Sequence, residues 1–119
     1  MALPPRLLFA IAGVAFAAIV FWPGRQADAV TRARALVGDS KVVMLSAEWC
    51  GYCNRLRADL NRRNVPFAEF DVEKTSAGRG AWKELGGRGV PVTLVGDQVI
   101  RGYDPQRILA LAASGRGAP

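Results

Sequence analysis

Lys41-Val42-Val43-Met44-Leu45-Ser46, followed after Ala47-Glu48-Trp49 by Cys50-Gly51-Tyr52-Cys53, is the stretch on which the fold turns. The first six residues are rich in β-branched side chains, too short for a typical helix and bounded by Asp39-Ser40, so they read as a buried strand. Beyond the cysteines, Cys53, Leu56 and Leu60 fall at i, i+3 and i+7, while Arg55, Arg57, Asp59, Arg62 and Arg63 take the other faces. That spacing predicts an amphipathic helix ending near Asn64. Both sulfurs therefore stand where a strand hands over to a helix N-terminus.

The placement sets the chemistry. Free backbone N–H groups and the positive end of the helix dipole favour a thiolate, which makes Cys50 the candidate nucleophile. Cys53, one turn onward, can attack a mixed disulfide formed at Cys50 and act as the resolving thiol. The chain has no His, and thiol-disulfide exchange needs none, because its nucleophile and leaving group are both thiolates. Zinc binding within one chain is disfavoured, since a structural site takes about four N or S ligands and only two Cys are present. No metal site is expected. An inert structural disulfide is also a poor reading, because so short a loop removes little entropy from the unfolded chain.

Working towards the C-terminus, Pro66 to Val72 reads as a second strand and Ser76 to Leu85 as a short, Gly-weakened helix before Gly86-Gly87. Val92 to Val95 and Gln98 to Arg101 are strand-like runs separated by Gly96-Asp97, the chemistry of a two-residue hairpin turn. Asp104 suits an N-cap and Pro105 the first helical position of a last helix carrying Ile108, Leu109 and Leu111. The order is βαβαββα, with the first two strands parallel and an antiparallel hairpin at the end.

Working towards the N-terminus, Ala29, Val30, Ala33 and Leu36 recur at helical spacing, predicting a lead-in helix over Ala27 to Leu36 that stops at Gly38. Leu7 to Trp22 carries no charge and would reach roughly 24 Å as a helix, slightly short of a bilayer core of ~30 Å. Arg6 precedes this run, and Ala27-Asp28-Ala29 follows it as an A-x-A signature, so a membrane anchor and a cleaved signal segment are both open, the anchor being preferred. The arginines on the far flank (Arg25, Arg32, Arg34) argue for a cytoplasmic domain, whereas the short N-terminal region and the A-x-A argue for export. The expectation is a domain held at a bacterial inner membrane and exported.

Residues 1–26 are thus read as an anchor or signal segment, 27–40 as lead-in helix and linker, 41–113 as a single domain and 114–119 as a tail. A net charge of +6 comes mostly from scattered Arg, the pattern of a solvated surface, and no nucleic-acid-binding motif accompanies it. No nucleic-acid partner is expected, and the protein is read as a monomer.

Ala47-Glu48-Trp49-Cys50-Gly51-Tyr52-Cys53, Gly89-Val90-Pro91 and Gly102-Tyr103-Asp104 together resemble the glutaredoxin branch of the thioredoxin superfamily, over about Lys41 to Ala113. The resemblance implies a thioredoxin-like α/β fold, a mixed four-stranded sheet flanked by helices, here preceded by a hydrophobic N-terminal helix. It implies that Pro91 is cis and faces Cys50, and that the backbone of Val90 pairs with the bound thiol substrate. It further implies a substrate or glutathione site built from Trp49, Tyr52, Arg88, Gly102, Tyr103 and Asp104. Protein disulfides or glutathione mixed disulfides would be the partners, with glutathione a candidate co-substrate and no cofactor required. Ala47 stands where glutaredoxins commonly carry Lys, Gly51 stands where they carry Pro, and Trp49-Cys50-Gly51 is more thioredoxin-like. Two other classes follow from the same motifs: a carrier bridging a [2Fe-2S] cluster between two subunits with glutathione, and a non-catalytic membrane adaptor binding peptides at Val90-Pro91.

Overall fold

The computed structural model describes residues 24–115. The run Leu7 to Trp22, and with it the anchor and signal readings, lies outside the described residues. Among the described residues no helix is long and apolar enough to cross a membrane.

The elements are α1 (Gly24–Val37), β1 (Val42–Ser46), α2 (Gly51–Arg62), β2 (Ala68–Asp71), α3 (Ser76–Glu84), β3 (Val92–Val95), β4 (Gln98–Arg101) and α4 (Pro105–Ala113). The strands lie in the order β2-β1-β3-β4. β1 pairs parallel with β2 and antiparallel with β3, and β3 with β4 antiparallel. All five residues of β1 and all four of β3 are buried, because helices cover both faces of the sheet.

Side-chain alternation divides the core in two. Val43, Leu45, Val92 and Leu94 pack with Val30, Ala33 and Val37 of α1 and with Ala81. Val42, Met44, Val95 and Ile100 pack on the other face with Leu56 and Leu60 of α2 and Ile108 of α4. The lead-in helix is therefore structural: α1 runs from Gly24 to Val37 and supplies three buried residues. Its Arg34 departs from the solvated-surface reading of the arginines. It donates to the carbonyls of Gly96 (2.8 Å) and Lys41 (3.2 Å), among others, tying the helix to the β3–β4 turn. Burial pulls its guanidinium below the ordinary value, with Asp39 opposing.

The glycines that weaken α3 in the sequence have a packing role. A Cβ on Gly78 would lie 2.5 Å from the Asp71 carbonyl oxygen, and one on Gly80 would lie 2.8 Å from Leu36 Cδ1. At Gly78 the obstacle is backbone, so only a residue without Cβ lets α3 settle this close to β2; at Gly80 it is the end of the exposed Leu36 side chain, which can turn aside.

Candidate active site

β1 delivers the chain to Cys50, which is the N-cap of α2 with extended backbone (φ −81°, ψ 108°). Its Sγ accepts the Cys53 backbone N–H at 3.1 Å, the contact that a Ser or Asp oxygen makes at an ordinary N-cap. Cys50 and Cys53 are joined as a disulfide with Cα atoms 5.2 Å apart. The two are not equally accessible: Cys50 is 4% exposed and Cys53 is 0%. Cys50 alone of the pair keeps any exposed surface.

The Val90–Pro91 peptide is cis. The Val90 carbonyl oxygen lies 3.7 Å from Cys50 Sγ, and Val90 packs against the cluster of Ala47, Cys50 and Cys53. Gly102 donates its N–H to the Pro91 carbonyl at 2.9 Å, which brings the start of α4 beside the same loop. Asp104 caps α4, its Oδ1 accepting the Arg107 N–H at 3.3 Å.

Two aromatic residues flank the disulfide in the open: Trp49 is 74% exposed and Tyr52 is 60%. On the α2–α4 side, Tyr52 lies 5.8 Å from the Tyr103 ring, and the Arg55 guanidinium sits 5.9 Å and 5.7 Å from the two centroids. Gly51, Tyr52 and Arg55 border a shallow cleft here. On the α3 side, Trp49 and Val90 open into a second cleft that also takes in Val72 and Trp82. The structure thus sets Val90 against the cysteines, with Trp49 and Tyr52 adjoining them in the chain, and links Gly102 to this group through Pro91 and Tyr103 through Tyr52. Arg88 stands apart from them in its bonding: it is exposed and pairs with no other described residue.

Three contributors escape a reading of the sequence alone. Asp59, expected on a polar face, is 8% exposed and accepts the Tyr103 O–H, with Arg62 as its ion partner. Its i+3 spacing from Leu56 was the available signal. Trp82 reaches the site from α3, its indole N–H donating to the Gly89 carbonyl at 2.9 Å. Glu69 of β2 binds Arg57 of α2 (2.6 Å to Nε) and Ser46 at the end of β1 (2.7 Å), fastening the reactive helix to the sheet. Burial pushes the Glu69 carboxyl up, but the hydrogen bonds from Arg57 and Ser46 outweigh it and hold the group below its ordinary value.

Size does not locate this site. A groove of about 750 Å³ lies at the other end of β1, between Val42, Phe67 and Ala112, and holds neither cysteine.

A family model described as Glutaredoxin matches residues 42–100. A glutaredoxin–glutathione complex from buckwheat superposes with a TM-score of 0.60 at 19% identity, covering 82% of this chain and 98% of that one. The holo form of glutaredoxin C1 from Populus tremula x tremuloides gives 0.59 at 27% identity, with 78% and 94% covered. A glutaredoxin from Archaeoglobus fulgidus gives 0.57 at 23% identity, with 67% and 94% covered. No curated protein matches the chain significantly. The match runs from Val42 of β1 to Ile100 of β4 and takes in the helix that Cys50 caps: the chain is glutaredoxin-like, a thiol-disulfide oxidoreductase with a thioredoxin-like fold.

Proposed function

We propose that Cys50 attacks disulfides of proteins or glutathione and that Cys53 resolves the resulting intermediate. The Cys50 thiolate bonds to one substrate sulfur, and the other leaves as a thiolate that takes up a proton. The Cys53 thiolate, having lost its proton to solvent, then attacks Cys50 Sγ and expels the second substrate thiolate. Two electrons pass to the substrate, and Cys50–Cys53 ends as the disulfide. Two equivalents of glutathione restore the dithiol and leave as glutathione disulfide. The observation that carries the reading is the position of Cys50 Sγ, capping α2 through the Cys53 N–H and lying beside the Val90 carbonyl. The resolution of the buckwheat relative as a glutathione complex supports glutathione as co-substrate.

The test is a titration of the full chain in glutathione redox buffers, followed by tryptophan fluorescence with Trp49 beside the pair. A reversible two-electron transition between about −270 and −200 mV is expected, the range of thioredoxins and glutaredoxins. Absence of any reversible transition would refute the reading.

We further place Leu7 to Trp22 in the membrane, with the domain exported. Two of the arginines that argued for a cytoplasmic domain have structural roles instead: Arg34 ties α1 to the β3–β4 turn and Arg32 pairs with Glu84 at 2.6 Å. They need no topological explanation. Protease digestion of spheroplasts tests the placement: export predicts cleavage without lysis, and protection until lysis would reverse it.

A further inference from the structure

We propose that the domain stands with its disulfide end on the bilayer, held there by anionic phospholipid headgroups, and so acts on disulfides at the membrane surface. The inference rests on the proposed placement of Leu7 to Trp22 in the membrane and adds the orientation of the active site and its substrate class.

The path of the chain sets the orientation. Only Pro23 separates Trp22 from Gly24, the first residue of α1, which leaves no linker in which the domain could turn over. α1 runs to Val37, and the short turn from Gly38 to Lys41 returns the chain into β1. Arg34, in the last turn of α1, donates to the Lys41 and Gly96 carbonyls, so this end of the helix sits where β1 begins. With Val30, Ala33 and Val37 packed on Val43 and Leu45, α1 and β1 run antiparallel along each other. The 14 residues of α1 rise about 21 Å from the turn and the five of β1 about 17 Å. Gly24 and Cys50 therefore share one end of the domain. The same end holds the loop after α3: Arg32 of α1 pairs with Glu84 at 2.6 Å, and the chain beyond leads through Arg88 to Val90 beside Cys50.

This end has the surface that an anionic bilayer draws in. Trp49 and Tyr52, of the residue types enriched at membrane interfaces, are 74% and 60% exposed. Arg25, Lys83 and Arg88 are exposed at this end and pair with no other described residue, and anionic headgroups attract such cations. Glu48 and Glu84 are neutralised by Lys74 and Arg32. At the far end, Lys41 and Arg63 are offset by the exposed Asp39 and Asp97. A disulfide held at headgroup level meets substrates that are themselves at the surface, the membrane-proximal disulfides of other anchored chains.

The test uses the full chain in phosphatidylcholine vesicles that contain phosphatidylglycerol and a nickel-chelating lipid, which speeds the relaxation of nearby nitroxides. Cys53→Ser carries the nitroxide on Cys50, and a variant combining Cys50→Ser, Cys53→Ser and Asp97→Cys carries it at the far end. The Cys50 label is expected to relax at least about threefold faster, the two sites being separated by about 17 Å, the length of β1. This difference is expected to fall by about half in about 1 M salt, where the screening length shrinks to ~3 Å. In a second arm the reduced chain acts on symmetric disulfide dimers of a lipid-linked peptide, each turnover freeing two peptide thiols and forming Cys50–Cys53. A spacer of about 20 residues reaches roughly 70 Å and so either end of the domain, whereas one of about two residues reaches only the end on the bilayer. The short-spacer dimer is expected to react within about threefold of the long-spacer one. A label at position 97 that relaxes as fast, a difference that salt leaves unchanged, or turnover of the long-spacer dimer alone would overturn the proposal while leaving the exchange chemistry standing. A chain that fails to float with the vesicles would refute the membrane placement itself, and the proposal with it.

Discussion

The N-termini of α2 and α3 are built alike and do different things. At α3 the Thr75 Oγ1 accepts the Gly78 N–H at 3.0 Å, and at α2 the Cys50 Sγ accepts the Cys53 N–H at 3.1 Å. Both caps have extended backbone, and both satisfy a donor that the helix cannot satisfy internally. The difference lies in the capping atom. A hydroxyl in that position is inert, whereas sulfur in the same position meets the N–H groups and dipole that favour its anion. On the proposed mechanism, reactivity arises from one element substituted in an ordinary structural slot, with a second cysteine three residues on.

The sharpest way to separate the two roles is Cys50→Ser. Serine ranks among the best N-caps, so the reduced variant should keep its fold and lie within about 0.5 kcal/mol of the reduced parent by denaturant titration. Its disulfide reductase activity should fall by at least about 10³-fold, the scale expected for removing a covalent nucleophile. Retained activity would mean that the cap position is not the reactive one. Cys53→Ser keeps the nucleophile and removes the resolving thiol, so the reaction should stall after its first step. Mass spectrometry after exposure to glutathione disulfide should find one glutathionyl group on the protein, attached at Cys50.

The elements that carry this site could be read from the sequence because they rest on local signals. The strand before Cys50, the helix after it and the Asp104-Pro105 start of the last helix follow from side-chain period and cap chemistry, and α3 and the hairpin lie where those signals put them. The cis Val90–Pro91 peptide was implied by the resemblance to glutaredoxins and not by any local signal. What escaped is non-local. Nothing near Trp82 in the chain indicates that it lies beside Trp49, and Arg57 and Glu69 become partners only when β2 pairs with β1. Arg34 reads as one more solvated arginine until the β3–β4 turn folds back onto it.

What holds the α2 cap in place is a third question, and Glu69 answers it. Glu69→Gln leaves Arg57 without a charge partner in a half-buried site. The cost should be about 2 kcal/mol, between the value below 1 for exposed pairs and the 3–5 for fully buried ones. The pH dependence has a definite sign. Because the folded state holds this carboxyl below its ordinary value, the contribution is present above the unfolded carboxylate range. It fades as pH falls through the folded value. The stability gap between parent and Glu69→Gln should therefore be widest near neutrality and close on acidification, as denaturant midpoints measured across pH would reveal. A gap that stayed constant would mean that Glu69 acts through shape and not charge.

Thr75→Ala is the counterpart of Cys50→Ser at the inert cap. It removes the bond to the Gly78 N–H and the bond that the Thr75 hydroxyl donates to the Asp71 carbonyl at 2.7 Å. The loss should be about 1 kcal/mol of stability, the usual cost of deleting a cap, with Thr75→Ser restoring most of it. The redox potential of Cys50–Cys53 should not move, because Thr75 touches neither sulfur. A shifted potential would be the more instructive outcome. The turn after β2 reaches the cysteine loop through two contacts, Glu73 with Trp49 and Lys74 with Glu48. A shift in Thr75→Ala would show that the inert cap tunes the reactive one through that turn, and that the two helix starts work as a coupled pair.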